Sequence, residues 1–231
     1  MNRLQRERLQ RLEQRHEAKR ESNTRSRFYT MFPDTGPYRR ELYPKHLRFF
    51  AAGKYHTERC FLAANRVGKT EAGTYEVVCH LTGLYPAWWD GRRFDHPITA
   101  WAAGDSYQTV RDILQEKFLG QPGQLGTGMI PGHLIIKTTP RSGLPEAVEK
   151  IYVRHKSGGI SSLVLKSYNS GRESFTGTAI DVVWFDEEVS EDIYMEGLTR
   201  TMTKGGISIL TFTPLNGCTP VVMRFLPQLG V

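Results

Sequence analysis

Residues 63–70 have the pattern of a phosphate-binding loop, and they constrain the fold more than any other segment. The apolar residues 60–63 before the loop predict a buried strand, and Thr70 and the residues after it favour a helix. A loop between a strand and a helix N-terminus points several backbone N–H groups at one place, where the helix dipole adds positive potential. Gly68 allows close backbone approach, Lys69 would reach the β- and γ-phosphates of a nucleotide, and the Thr70 hydroxyl would ligate Mg²⁺.

The usual pattern of such a loop begins with Gly, where this chain has Ala63. The alternative interpretation is therefore a chance Gly-Lys-Thr at the start of a helix. If the loop binds a nucleotide, it predicts ATP and Mg²⁺ as cofactors. The predicted nucleotide-binding residues within it are Ala64, Asn65, Arg66, Val67, Gly68, Lys69 and Thr70.

Residues 181–188 form an apolar run that ends in carboxylates, as a central strand of a nucleotide site would. Four consecutive apolar residues suit a parallel strand covered on both faces. Asp186 would hold Mg²⁺, directly or through water, and Glu187 would polarise the water that attacks the γ-phosphate. The alternative is a strand followed by an acidic first helical turn, to which Glu188 and Glu191 would belong.

The composition is that of one large α/β domain. The chain has 231 residues and no run of 18 apolar residues, so no transmembrane helix is expected. Its formal net charge is +7 and its pI is about 9.4. Residues 1–27 hold nine Lys or Arg and four Glu, which gives +5 (9 − 4). This excess favours a polyanionic partner, although a solvated charged helix explains it equally well.

The order of predicted elements gives the fold class and the domain limits. Residues 1–37 read as a basic N-terminal helical arm and link, and residues 38–231 as one domain. Within it we expect a helix over 42–52, a strand at 98–103, a helix at 107–119, paired strands at 151–154 and 161–167, a helix at 193–202 and a strand at 207–212. Residues 120–149, rich in Gly and Pro, are expected to be irregular. Alternating strands and helices predict a mainly parallel sheet covered by helices.

Five segments, taken in order, resemble those of the N-terminal packaging ATPase domain of the large terminase subunit of tailed bacteriophages. The segments are Tyr43-Pro44-Lys45-His46, residues 65–70, residues 170–177, residues 184–188 and residues 211–214. The resemblance implies a P-loop NTPase of the additional-strand, catalytic-glutamate type. Two departures stand out: the family commonly has Gln where this chain has His46, and many relatives carry their loop arginine at the position of Asn65.

The resemblance also implies roles for single residues. Tyr43 and His46 would lie against the adenine, and Thr213 would couple nucleotide state to movement. Two arginines are candidates for stabilising charge on the transferring phosphate together with Lys69. Arg66 would act in cis, whereas Arg172 would act across a subunit boundary or as a γ-phosphate sensor.

For the whole chain, the resemblance implies an ATPase motor that drives double-stranded viral DNA into the capsid. Its partners would be the portal protein, the small terminase subunit and further copies in a ring, in the host cell cytoplasm and without a membrane. Relatives carry a C-terminal nuclease domain, but this chain ends 18 residues after Thr213 (231 − 213), so no nuclease activity is expected. The alternatives are a helicase-type DNA-dependent ATPase and a non-catalytic nucleotide-binding assembly protein; Glu187 argues against the second.

Overall fold

The computed structural model of the chain describes residues 26–226 together with Gln5 and Arg8. The predicted N-terminal arm therefore lies largely outside the described residues. Within them, no helix is both long and apolar enough to cross a bilayer.

The described residues form one seven-stranded sheet. Its strands are β1 (Glu58–Leu62), β2 (Thr99–Gly104), β3 (Ile135–Pro140), β4 (Val148–Arg154), β5 (Ile160–Ser167), β6 (Val182–Asp186) and β7 (Ile207–Phe212). The strand order is β1-β7-β6-β2-β5-β4-β3. The pairs from β1 to β5 are parallel, whereas β4 runs antiparallel to both of its neighbours, β5 and β3. The predicted mainly parallel sheet is thus confirmed, with an antiparallel hairpin added at one edge.

Helices cover both faces of this sheet. They are α1 (Pro44–Ala52), α2 (Lys69–Thr82), α3 (107–119, with π-helical geometry over Val110–Gln115), α4 (Glu191–Met202) and α5 (Pro220–Phe225). Short 3₁₀ turns lie at Arg27–Thr30, Arg40–Leu42, Gly132–Leu134, Tyr168–Ser170 and Arg172–Phe175. Side chains of α2 and α3 pack into one core and those of α4 and α5 into another, so the sheet separates two cores.

Strand β6 lies between α2 and α4 at close range. A Cβ on Gly73 of α2 would come within 2.3 Å of the Trp184 ring, and one on Gly197 of α4 would come within 2.5 Å of the Phe185 ring. Both distances are far below those of real contacts. Glycine is therefore required at both positions if these helices are to pack directly onto the strand.

Two features differ from expectation or go beyond it. Part of the segment expected to be irregular forms β3, an edge strand whose side chains are half-buried or exposed and whose register is interrupted twice. It lacks the buried alternation by which a strand is recognised in sequence. The second feature is the link: Phe28 and Phe32 are buried in the domain core, and the Ser26 hydroxyl donates to the Gly128 carbonyl at 3.2 Å.

Candidate nucleotide-binding site

The topology brings the phosphate loop and the acidic strand to the same edge of the sheet. The loop joins the C-terminal end of β1 to the N-terminus of α2, and Gly68 caps that helix with a left-handed φ of 85°. Strand β7 lies between β1 and β6, so the C-terminal ends of all three strands meet. A strand inserted between the phosphate-loop strand and the acidic strand is the additional strand that was expected. Open α/β sheets bind ligands at this edge.

Lys69 is buried, and its ammonium makes three hydrogen bonds, two within the loop and one to Thr213 after β7. It donates to the carbonyl oxygens of Ala63 at 3.1 Å and Ala64 at 2.8 Å, and to the hydroxyl of Thr213 at 2.8 Å. That hydroxyl also lies 2.7 Å from Oδ1 of Asn65. The loop lysine and the predicted coupling threonine, 144 positions apart in sequence, are therefore in direct contact.

Thr70 and Asp186, the predicted Mg²⁺ ligands, are also in contact. The Thr70 hydroxyl lies 3.1 Å from both carboxylate oxygens of Asp186. Thr211 on β7 donates to the same carboxylate at 2.7 Å and accepts a hydrogen bond from the Trp184 indole at 2.7 Å. Burial raises the pKa of Asp186 to about 7, against the lowering effect of the two hydroxyls. Thr211 and Trp184 lie in two of the five segments that the resemblance singled out, but neither was predicted as a site residue.

Glu187 is exposed at the end of β6 and adopts a left-handed backbone with φ 67°. Such a conformation costs about 1 kcal/mol or more in a residue other than Gly, and it is common at functional sites. The surroundings hold it there: its N–H donates to the Thr211 carbonyl at 3.0 Å. The Tyr168 hydroxyl holds the preceding residue, since it donates to the Asp186 carbonyl at 2.9 Å. Glu187 is thus exposed directly beside the buried Asp186.

Glu188 connects the acidic strand to the loop after β7. Its carboxylate accepts from the Thr219 hydroxyl at 2.8 Å and from the Asn216 amide at 3.2 Å. Thr213 lies at the start of that loop, so Glu188 fixes the far end of the segment that contacts Lys69. From the sequence, Glu188 was assigned no role beyond an acidic helix start. The partners 28 and 31 positions away carried no signal that could have revealed this contact.

A cavity of about 600 Å³ adjoins the phosphate loop. Its lining residues are Arg27, Thr30, Met31, Phe32, Tyr38, Tyr43, His46, Arg66, Val67, Gly68 and Glu71. The cavity includes Tyr43 and His46, the two residues expected to lie against a base. The wall contributed by residues 27–38 was missed, because a turn-rich link next to a charged arm gives no sequence signal for a pocket.

His46 joins the cavity to the loop. Its ring lies 5.4 Å from that of Tyr43, and a Cβ on Gly68 would come within 3.3 Å of its Nε2 atom. Burial lowers the pKa of His46, partly offset by hydrogen bonding to the backbone of Gly68 and Val67. At neutral pH the ring is therefore uncharged and keeps one donor and one acceptor nitrogen.

The two candidate arginines have different surroundings. Arg66 is exposed, has a left-handed φ of 64° and lines the cavity. Arg172 lies in a 3₁₀ turn after β5 and pairs with Glu196 of α4 at 3.0 Å, while 62% of its side chain is exposed. Among the described residues, neither arginine has a hydrogen bond or ion pair to Lys69, Thr70 or Asp186.

The donor set at this edge suits Mg²⁺. It consists of one hydroxyl and one carboxylate, and Mg²⁺ is typically held by one or two carboxylates, substrate phosphates and water. No cluster of three or more His, Cys, Asp or Glu side chains occurs within the described part of the chain. The site therefore fits a metal that arrives with phosphates better than one held by protein ligands alone.

Comparisons with known proteins agree with this geometry. The family model described as "Terminase large subunit, T4likevirus-type, N-terminal" matches residues 60–230. The curated protein "Terminase, large subunit" of Salmonella phage P22 is 39% identical over 204 residues, which is 80% of this chain and 41% of that protein. This chain thus spans less than half the length of that relative.

A solved structure shows a more distant likeness. It is the large terminase of a thermophilic bacteriophage in complex with ADP, with a TM-score of 0.46 and 13% identity, over 73% of this chain and 37% of that one. A likeness this distant does not bear on function. The family model, in contrast, covers most of the chain and includes both the phosphate loop and the acidic strand. The chain therefore belongs to the terminase large-subunit family, in the region of its N-terminal domain.

Proposed function

We propose that this chain is the ATP-hydrolysing motor domain of a phage terminase, which couples ATP hydrolysis to the movement of double-stranded DNA into a capsid. One observation carries the proposal: Thr70 of the phosphate loop contacts Asp186 of the acidic strand at 3.1 Å, with Lys69 and Glu187 next to them in sequence. This combination is what phosphoryl transfer to water requires, namely a phosphate cradle, a metal-binding pair and a base-like carboxylate.

The described contacts suggest how each residue would act. The base would enter the cavity beside Tyr43 and His46, and the phosphates would lie against the backbone from Ala64 to Gly68. Lys69 would exchange its bonds to the Ala63 and Ala64 carbonyls for phosphate oxygens. Thr70 and Asp186 would hold Mg²⁺, which supplies charge neutralisation of the phosphates when bound.

Glu187 would orient and polarise the attacking water. Its exposed position would leave it free to approach a γ-phosphate at the loop. An arginine would complete the charge stabilisation. Arg66 is the candidate within the chain. Arg172 is the candidate for a neighbouring subunit, because 62% of its side chain is exposed even with its ion pair to Glu196.

The proposed partners follow from the family and stay proposals for this chain. They are double-stranded viral DNA, the portal protein, the small terminase subunit and further copies of the chain in a ring, in the host cell cytoplasm. A domain boundary near residue 38 is likewise a proposal, and Phe28 and Phe32, which pack into the domain core, would then belong to the link. A helicase-type ATPase would share the same nucleotide chemistry, so strand separation by the purified chain would favour that alternative.

The test is steady-state ATP hydrolysis by the purified chain and by Lys69→Ala. We expect the substitution to weaken nucleotide binding and to lower turnover by about 10²-fold or more, the scale on which loss of a preorganised charge donor acts. The matched control is Lys54→Ala, an exposed lysine paired with Asp90 away from the loop. Wild-type turnover in Lys69→Ala would refute the site. Absence of any turnover by the wild-type chain, with intact binding, would favour a non-catalytic assembly protein.

A further inference from the structure

The antiparallel hairpin at the edge of the sheet has one uncovered side, which we call the hairpin face. Side chains alternate along β3, β4 and β5, and Ile151, Val153 and Leu163 point into the core shared with α2. The opposite positions form the hairpin face: Lys137, Thr139, Lys150, Tyr152, Arg154, Ile160 and Ser162. Val164 and Lys166 share that parity but pack against the second core. Helix α4 lies on this side of the sheet but packs against β6 and β7.

Cations and an aromatic ring dominate the hairpin face. The ammonium groups of Lys137 and Lys150 lie 4.7 and 4.9 Å from the centre of the Tyr152 ring, so two lysines flank one tyrosine. Arg154 is exposed further along the same strand. Within the part of the chain that the structure describes, none of these three cations is in an ion pair, and no outward position of β3, β4 or β5 carries a carboxylate. Glu149, which has the opposite parity, pairs instead with Arg141 at 3.7 Å.

We propose that the hairpin face binds the phosphodiester backbone of duplex DNA. Like charges gathered without counter-charges are unfavourable unless a polyanion neutralises them. Lys150 and Arg154 are four residues apart on a strand, which places them about 13 Å from each other. That span suits a linear array of phosphates better than a single anion. The hydroxyls of Thr139 and Ser162 add neutral donors of the kind that contact DNA phosphates.

The position of the hairpin face connects it to the candidate nucleotide site. Strand β5 contributes Ser162 to the face and ends at Ser167, directly before Tyr168. The Tyr168 hydroxyl donates to the carbonyl of Asp186, which holds the acidic strand. DNA bound at the face would therefore press on a strand that reaches the catalytic edge. This inference rests on the proposed motor function for its partner, but it concerns a surface separate from the nucleotide site.

The experiment measures binding of a fluorescent blunt-ended DNA duplex by anisotropy, without nucleotide, over a series of salt concentrations. In the full chain, the variant Lys137→Gln/Lys150→Gln/Arg154→Gln should bind more weakly. Because each phosphate contact contributes about 0.9 to the slope of log K against log salt, three lost contacts should reduce that slope by about 2.7. The N-terminal arm is present in all samples, so its own contribution cancels.

The matched control removes the same charge elsewhere. Lys45, Arg48 and Lys54 are exposed cations on α1 and the turn after it, and their triple change to Gln should leave the slope within about one contact of wild type. An equal loss in both triple variants would show a general charge effect and overturn the proposal, as would an unchanged slope in the hairpin variant. After such a result, an acidic protein surface would be the remaining candidate partner of the hairpin face.

Two further measurements keep the result interpretable. If the triple variant does not fold, as judged by circular dichroism and thermal unfolding, the single change Arg154→Gln at an exposed position replaces it, with an expected slope reduction of about 0.9. An unchanged slope in that variant would count against the proposal. Duplex binding is also measured for Lys69→Ala. Wild-type DNA binding by Lys69→Ala would show that DNA binding does not depend on the nucleotide site. The ATPase proposal and the hairpin-face proposal could then fail independently of each other.

Discussion

Thr213, directly after β7, accepts a hydrogen bond of 2.8 Å from the Lys69 ammonium of the phosphate loop. This bond occupies one of the three N–H donors of Lys69, which is then not available to a phosphate. If the loop binds a nucleotide as proposed, this bond would compete with the phosphates for Lys69. We therefore expect Thr213→Val to bind an ATP analogue more tightly, by about fivefold, because removing a competing hydrogen bond is worth about 1 kcal/mol. Thr213→Ser should keep the wild-type Kd. Isothermal titration calorimetry measures both, and weaker binding by Thr213→Val would contradict this view of the resting site.

Substitutions of the adjacent carboxylates Asp186 and Glu187 should have different effects on ATP binding and turnover. Glu187→Gln preserves shape but not the polarising oxygen, so we expect ATP binding to persist while turnover falls by about 10²–10⁴-fold, the usual contribution of a general base. Asp186→Asn should instead impair binding that depends on Mg²⁺, since Asp186 is the group in contact with Thr70. Nucleotide binding with and without Mg²⁺, measured beside turnover, separates the two. Identical behaviour of the variants would refute this division of roles.

Glu188 should act through the loop that it holds. Glu188→Ala leaves the Thr219 hydroxyl and the Asn216 amide without their acceptor, and we expect a loss of stability of about 1 kcal/mol together with reduced turnover. Glu188→Gln retains one acceptor oxygen and should lie between wild type and Ala. Glu191→Ala, at an exposed first-turn position of α4, is the control. If Glu188→Ala matches that control in chemical denaturation and in kcat, the contacts of Glu188 with Thr219 and Asn216 contribute neither to stability nor to turnover.

Arg172 should matter only when subunits meet. It is exposed and paired with Glu196, and an arginine supplied by a neighbour can raise hydrolysis by about 10³-fold or more. We expect the specific activity of the wild type to rise with protein concentration, and that of Arg172→Ala to stay low and flat. Arg200→Ala, which removes the other ion pair of Glu196, is the control and should behave like wild type. A flat wild-type profile would leave Arg66, acting in cis, as the remaining candidate.

A buried network gives a prediction about pH. His80 lies between Glu76 and Tyr85, and burial lowers its pKa below 6.5. The folded chain then binds fewer protons than the unfolded chain below that pH. The free energy of unfolding should therefore fall on acidification, by up to about 1.4 kcal/mol per pH unit for this one histidine. Urea denaturation from neutral to mildly acidic pH should show a shallower dependence for His80→Gln than for wild type; an equal dependence would assign the effect to other groups.

The sequence predicted those parts of the structure that depend on local pattern. The strands around residues 98–103, 151–167, 182–186 and 207–212 formed where apolar runs and Gly-Gly turns indicated, because strongly periodic segments bury one or both faces. The helix expected at 42–52 begins at Pro44, since proline is favoured in the first helical turn. Edge strand β3 was not predicted, because few of its side chains are buried and its sequence shows no alternation of apolar and polar residues.

The residues of the candidate site also fall into two groups, those that local sequence motifs predict and those that depend on contacts between distant segments. Lys69, Thr70 and Asp186 belong to short motifs whose chemistry is local, and the structure places Thr70, which follows Lys69, in contact with Asp186. Thr211, Trp184 and Glu188 were missed because their contacts cross between strands or reach a loop. Such contacts depend on strand order, and a single sequence does not reveal which strands are neighbours.

The two glycine contacts on β6 have a mechanical consequence. With α2 pressed on Trp184 at Gly73 and α4 pressed on Phe185 at Gly197, the acidic strand has no clearance on either face. Tightly packed interiors transmit displacement and do not absorb it. A shift of the phosphate-loop helix on nucleotide exchange would therefore carry β6 and α4 with it as one rigid block. In the proposed motor, relative motion would then occur outside that block, in the loop after β7, while β6 serves as the fixed frame.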